Sequence, residues 1–325
     1  MQKRVLVTGA SGFVGANLVR RLLREGHEVN LILRPESAGW RLTELESVAK
    51  HIVNLADAEG VMRSVEVVRP DWIFHLAAHG AYSSQTDLHE MIQTNVVGTV
   101  NLVQACLRTG FEAFVNTGSS SEYGFKDHPP AESDLLEPNS HYAVTKASAT
   151  LYCRLTAQTH NVQLRTLRLY SVYGPWEEPT RLVPSLISYA LKGRLPPLAD
   201  PDVARDYVYV DDACDAYLLA ATQAGAEPSA VLNIGTGIQS NLAQMVEVAC
   251  ALLEVREPAV WGSMANRRWD TNTWVADNKK AVAELGWTPQ TSLVEGLAKT
   301  ISWFRDHPAL RTYYEQRIGL TDTAS

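Results

Sequence analysis

Cysteine is scarce. The 325 residues hold four, and Cys106, Cys153, Cys214 and Cys250 stand far apart in apolar, helix-like surroundings. There is no Cys-x-x-Cys pair and no Cys/His cluster, so no zinc or other metal centre is expected and the thiols read as buried and reduced. Long hydrophobic runs are missing as well, and nothing approaches the ~20 apolar residues that span a bilayer. The start, MQKRVLVTGAS, enters a strand directly, without the apolar run and cleavage site of a secretory leader, so a cytoplasmic location is expected. Basic charge is in deficit: 29 Lys and Arg face 36 Asp and Glu, for a net charge of −7. That balance argues against a nucleic-acid partner. No internal repeat or low-complexity segment occurs. What remains is ordinary globular composition, 46% hydrophobic and 20% charged, with length for one large domain or two that share a core.

The apolar runs are short and regularly spaced. RVLVTG, EVNLIL, HIVNLAD, DWIFHLAA, AFVNTGS and QLRTLRLYSVYG read as buried strands. Helical patterns lie between them, over ANLVRRLLREG and near 58–68, 91–108 and 142–159. Alternation of this kind predicts an α/β protein of the Rossmann type, a doubly wound parallel sheet covered on both faces. After Gly174 the character changes to a Pro-rich loop and a mixture of short strands and helices. The expected division is a dinucleotide-binding domain over 1–174 and a smaller mixed α/β substrate domain over 175–325, with segments near 206–235 returning to the first.

VTGASGFVG places Gly9, Gly12 and Gly15 where a strand becomes a helix. Glycines there let the backbone approach a pyrophosphate, and the helix start offers free N–H groups and a positive dipole end. Gly9, Ser11, Gly12, Phe13, Val14 and Gly15 are the expected cofactor contacts. Asp57, at the end of the third predicted strand, is placed either to accept a hydrogen bond from the adenine amino group or to cap the next helix.

The second strand lacks the acid that usually closes such a strand and holds the adenosine ribose. Leu33 and Arg34 stand there instead. A carboxylate would repel a 2′-phosphate, whereas a guanidinium offers it a planar fork. Such a charge-assisted bond is worth roughly 1.5–3 kcal/mol, or about ten- to a hundredfold in affinity. NADP(H) is therefore expected over NAD(H); the other reading of Arg34 is a solvated residue that stacks on adenine without selecting.

HYAVTKAS sets Tyr142 and Lys146 on one helix face, four residues apart. An ammonium beside a phenol favours the phenolate, so Tyr142 is expected to exchange a proton near neutral pH. Ser119 ends the strand upstream, where its hydroxyl can bond the same substrate oxygen. Ser119, Tyr142 and Lys146 are the candidate catalytic residues.

In this order and spacing, the motifs resemble the extended short-chain dehydrogenase/reductase family, which includes nucleotide-sugar epimerases, dehydratases and reductases. HLAA at 75–78, NVVGTVNLVQA at 95–105, RLYSVYGP at 168–175, RDYVYVDD at 205–212 and LGWTPQTSLVEGL at 285–297 extend the likeness over nearly the whole chain. The resemblance implies that Leu76, Ala77 and Ala78 line the cofactor and that Tyr170 and Val172 lie beside the nicotinamide. It implies that Asn95 supports the active-site strands. It further implies a nucleoside diphosphate sugar as substrate, contacted by Arg205, Arg267 and Asp270, with Arg181 facing the cleft. Ser120 and Ser121 would border the sugar. A homodimer through the helices near 91–108 and 142–159 is also implied. Where the family usually carries Asn for the diphosphate, this chain has the shorter Ser171.

The sugar 4,6-dehydratases of that family carry an Asp-Glu pair directly after the catalytic hydroxyl; here those positions are Ser120 and Ser121. Glu122 is one step out of register, which on a strand-like segment turns it to the other face. Dehydration is therefore not expected. GSSSEYG is similar to the matching segment of nucleotide-sugar 4-ketoreductases. The expected activity is NADPH-dependent reduction of a nucleotide-linked 4-keto-6-deoxy sugar. An NAD-dependent 4-epimerase that holds its cofactor tightly is the alternative. A non-catalytic dinucleotide sensor, or a reductase of a ketone without a nucleotide, fits the residues less well.

Overall fold

The computed structural model describes residues 1–37, 39–43, 45, 47–82, 84–265 and 271–320. Seven parallel strands form the main sheet: β1 (Arg4–Thr8), β2 (Glu28–Leu33), β3 (Ala49–Ile52), β4 (Trp72–His75), β5 (Ala113–Ser119), β6 (Leu164–Leu169) and β9 (Val231–Ile234). Their spatial order is β3-β2-β1-β4-β5-β6-β9, so the chain reverses direction of growth between β3 and β4. The carboxyl ends of β1 and β4 meet at that reversal, where sheets of this kind bind their ligands. Along β1, Val5 and Val7 enter one apolar cluster and Leu6 the other, as the two-residue strand period requires of a sheet buried on both faces. Helix α1 (Phe13–Arg24) buries Leu18, Val19 and Leu22 on one side of the sheet. Helices α2 (Ala58–Val68), α4 (Gly98–Thr109) and α5 (His141–His160) supply Val61, Leu102 and Cys153 to the other.

Three sequence expectations need correction in detail. The third strand ends at Ile52, five residues before Asp57, because Asp57 caps α2 by accepting the Gly60 N–H. The run QLRTLRLYSVYG is not one strand: β6 stays in the main sheet, while β7 (Ser171–Tyr173) pairs with β8 (Ala204–Tyr209) in a second sheet of order β10-β8-β7, with β10 spanning Gln239–Asn241. Tyr170 lies at this switch. The pattern near 91–108 is three joined helical pieces, α3 (Leu88–Ile92), a wider turn over Gln93–Val97, and α4. The widened turn carries Asn95, whose side chain holds the His79 backbone at both its N–H and its carbonyl and also bonds Thr145 of α5.

The polar core next to β5 fixes the catalytic corner. Glu122 is fully buried in the short turn after Ser119. Its carboxylate accepts from the Ser119 N–H at 2.8 Å, from Thr150 Oγ1 at 3.0 Å and from Arg168 Nε at 2.8 Å. Arg168 also donates to the Tyr123 hydroxyl, which donates to Asn233 of β9. Gly118 is required beside it, since a Cβ there would sit 2.8 Å from Glu122 Oε1. Removing one partner of a buried pair strands the other charge, at a cost of about 3–5 kcal/mol. Arg168→Met is therefore expected to lower unfolding stability by about that amount in urea titration. A loss under about 1 kcal/mol would show that Glu122 does not depend on Arg168.

Candidate active site

The phosphate turn is built for close approach. Gly9 has φ +72°, and a Cβ on it would lie 2.5 Å from Ala77 N and from the Leu76 carbonyl carbon. A Cβ on Gly15 would lie 2.3 Å from Gly9 O, so the third glycine lets α1 start directly behind the turn. Gly12 caps α1 with no side-chain bond, leaving the first-turn N–H groups of Phe13, Val14 and Gly15 directed outward at the positive end of the helix. This narrow cradle fits the pyrophosphate of a dinucleotide. Leu76, Ala77 and Ala78 run along its second side, held by bonds from Leu76 N to Thr8 O and from Ala77 N to Thr8 Oγ1. Below it, buried His75 bonds Thr8 and Thr99, and burial pushes its imidazole down to about 3, so it stays neutral.

Leu33 is buried at the end of β2, and Arg34 is exposed at the start of a turn closed by the Ser37 N–H on Arg34 O. The turn after β2 thus exposes both Arg34 and Glu36, with buried Leu33 at the strand end. Asp57 spends one carboxylate oxygen on its helix cap.

Ser119 and Tyr142 meet. The Ser119 hydroxyl acts on the Tyr142 phenol, drawing its pKa down, and lies 2.8 Å from Ser121 Oγ. Lys146 follows one turn along α5 and is 3% exposed. Burial pushes the Tyr142 phenol up to about 12; the Ser119 hydroxyl draws it down, the Glu122 charge raises it further and Arg181 lowers it. Arg181 is thus one positive charge of the protein that favours the phenolate. Burial lowers Lys146, and the Glu122 carboxylate opposes this. At neutral pH the protein's own residues hold Tyr142 protonated, as a proton donor to a substrate oxygen requires.

The opposite wall comes from the loop after β7. Arg181 caps α6 (Leu182–Ala190), and its charge acts on both Tyr142 and Tyr82. Its Nε lies 3.7 Å from Glu177, whose carboxyl burial pushes up to about 7. This loop is fastened to the cofactor side. Arg41 is 5% exposed and donates to Trp176 O, to Glu178 and to Ser11 O of the phosphate turn, while Asn17 of α1 donates to Pro175 O. Sequence reading missed Arg41 and Glu177. Each sits in a polar loop that looks solvated, and only the flanking Trp40, Leu42 and Trp176 hinted at burial.

Ser120 is buried next to Ser119, and Ser121 is drawn back onto Ser119. Glu122 does point away from the cleft, as expected, through a tight helical turn rather than a strand. Tyr170 and Val172 flank the switch between the two sheets. Arg205, on β8, lies with its guanidinium 5.7 Å from the Trp274 ring. Arg267 and Asp270 lie outside the described residues. Among the described residues no group of His, Cys, Asp and Glu is arranged to hold a metal, and no helix is long and apolar enough to cross a membrane. Cys106, Cys153 and Cys214 are buried; Cys250 is partly exposed.

Comparison with known proteins places this geometry. Residues 5–235 match the NAD dependent epimerase/dehydratase family. The UDP-glucose 4-epimerase of Mycolicibacterium smegmatis is 34% identical over 93% of this chain and 99% of its own. A dTDP-glucose 4,6-dehydratase of Streptomyces antibioticus is 31% identical over 94% and 93%. The crystal structure of the Thermus thermophilus UDP-glucose 4-epimerase in complex with NAD superposes with a TM-score of 0.81 at 29% identity, over 93% of this chain and 99% of that one. With its glycine cradle, its Ser119–Tyr142–Lys146 corner and these relatives, the chain belongs to the NAD dependent epimerase/dehydratase family, the extended short-chain dehydrogenase/reductases that act on nucleotide sugars with a nicotinamide cofactor.

Proposed function

We propose that this protein is an NADPH-dependent reductase of a nucleoside diphosphate-linked 4-keto-6-deoxy sugar. The observation that carries the reading is the end of β2, where Leu33 is buried and Arg34 stands exposed in place of a ribose-binding acid. An enzyme that exchanges cofactor at each turnover gains from a contact that selects NADPH, the form kept reduced for synthesis. The glycine turn, Arg34 and the 76–78 segment would hold the dinucleotide, which when bound supplies the hydride. Tyr142 gives its proton to the carbonyl oxygen, Ser119 bonds the same oxygen, and Lys146 sits one turn below to orient the ribose. Arg205, Arg267 and Asp270 are the proposed contacts of the nucleotide, and Arg181, Ser120 and Ser121 those of the sugar.

Dehydration needs an acid and a base next to Ser119. The two positions are serines, and the nearest carboxylate, Glu122, is engaged by Arg168, Thr150 and the Ser119 amide. A second reading, an NAD-dependent nucleotide-sugar 4-epimerase, is favoured by the 34% identity to a UDP-glucose 4-epimerase. The same three residues serve it, with the proton passing both ways.

A homodimer belongs to the proposal. Val144, Leu151 and Leu155 are 48%, 55% and 64% exposed, and their spacing puts them on one face of α5, beside exposed Leu88 and Ile92 of α3. A second copy presenting the same stripe is the proposed cover.

Arg34→Asp is expected to weaken NADPH about ten- to a hundredfold and to move preference toward NADH in steady-state assays. Unchanged selectivity would contradict the role given to Arg34. Tyr142→Phe should lower kcat about 10²–10⁴-fold with the circular dichroism spectrum intact; full turnover would remove Tyr142 from the chemistry. Sedimentation should give twice the 35.8 kDa chain mass, against a monomer if α5 is uncovered.

A further inference from the structure

The loop after β7 contains a buried carboxyl that the proposed chemistry does not use. The loop is forced into shape. Trp176 is 4% exposed and has φ +70°, a left-handed conformation that a bulky side chain takes only where its surroundings impose it. Three contacts impose it here. Arg41 Nε donates to Trp176 O at 2.7 Å, Asn17 donates to Pro175 O at 2.9 Å, and the Arg20 guanidinium stacks 3.9 Å from the Trp176 ring. One residue on, the Tyr314 hydroxyl of the helix Pro308–Arg317 donates to Glu177 O at 2.6 Å. The backbone is thus fixed on both sides of a turn that leaves the Glu177 side chain inside the protein, with the residue 5% exposed.

Hydrogen bonds do not match this burial. Glu177 Oε2 has no partner, and Oε1 lies 3.7 Å from Arg181 Nε, beyond hydrogen-bond length and within reach of an ion pair. Arg41 also acts on the carboxyl, but its donors go to Trp176 O, Ser11 O and Glu178. Arg181 is therefore the better placed of the two, and its side chain stays 41% exposed at the cleft. The other ionisable groups around Glu177 are Glu178 in the same loop, Tyr173 of β7, Tyr82 after β4 and Tyr314. Burial raises all three phenols, so they stay neutral where Glu177 titrates. Burial pushes the Glu177 carboxyl up to about 7 against the pull of Arg181, so it changes charge in the neutral range.

We propose that Glu177 is a positioning residue, whose carboxylate holds the Arg181 guanidinium toward the Tyr142 phenol and releases it on taking up a proton. It acts through Arg181, whose charge reaches Tyr142, and takes no proton from the substrate. The proposal rests on the role given to Tyr142 above and serves reduction and epimerisation alike.

The test is a pH titration by NMR of the intact protein, labelled with carbon-13 at tyrosine Cζ and with no sugar nucleotide added. The Tyr142 signal is assigned by its loss in Tyr142→Phe. It should show an inflection near pH 7 in the wild type and none in Glu177→Gln or Arg181→Met. A wild-type signal without inflection overturns the proposal. An inflection that persists in Glu177→Gln overturns it too, assigning the titration to another group. Persistence in Arg181→Met shows that Glu177 does not act through Arg181 and is equally fatal. Arg181 is partly exposed, so Arg181→Met decides the case even if Glu177→Gln does not fold. In turnover, kcat/KM should rise about threefold or more as pH increases through the same inflection, and Glu177→Gln should stay flat at the low value. Equal profiles for the two proteins overturn the positioning role. The NMR inflection, lost in both variants, with no wild-type turnover of 4-keto sugars, would sustain the proposal and sink the reductase reading alone.

Discussion

One buried carboxylate governs the catalytic corner. Glu122 grips the amide of Ser119, the hydroxyl of Thr150 on α5 and the guanidinium of Arg168 on β6. Through these bonds the strand end that carries Ser119 is fixed against the helix that carries Tyr142 and Lys146. The same charge opposes the desolvation of Lys146 and holds the Tyr142 proton more tightly. A charge this deep contributes little net stability over an apolar core of the same shape. Its value lies in geometry, since Ser119 and Tyr142, the two side chains proposed to react, come from different elements.

A second constraint joins cofactor and substrate sides. Arg41 spans from the Ser11 carbonyl of the phosphate turn to Trp176 and Glu178, and its guanidinium stacks 4.1 Å from the Trp40 ring. Trp40 in turn packs on Trp176 and Tyr314, and Tyr314 donates to Glu177 O. The segment leading to Arg181 is thereby anchored to the turn that cradles the pyrophosphate. Arg181 acts on the Tyr142 phenol, so the loop's placement reaches the proposed proton donor. Planar, multidentate donation of this kind is a property of Arg that Lys does not reproduce.

Much of this was legible in the sequence because it follows from periodicity and glycine chemistry. The glycine turn, the α2 helix over 58–68 and the Tyr142–Lys146 face depend on local patterns, and the structure reproduces them. The change of sheet at Tyr170 was hidden because β6 and β7 follow one another with no turn residue between them, and only long-range pairing with β8 and β9 divides them. Asp57 shows the ambiguity of a short polar residue at an element boundary: strand end and helix cap look alike until the backbone is traced. Arg41 and Glu177 could not be read from spacing at all. Their roles arise from burial by segments more than a hundred residues away.

The reductase reading turns on where hydride goes and whether it stays. The most direct measurement supplies NADPH deuterated at the transferring position together with a nucleoside diphosphate 4-keto-6-deoxyhexose, and follows the product by NMR. The account predicts one NADP⁺ formed per sugar, with deuterium at C4 of a 4-hydroxy product and little reaction with deuterated NADH. Interconversion of 4-hydroxy nucleotide sugars by the protein as isolated, with no net oxidation of NADPH and no deuterium retained, would contradict it and assign the site to epimerisation.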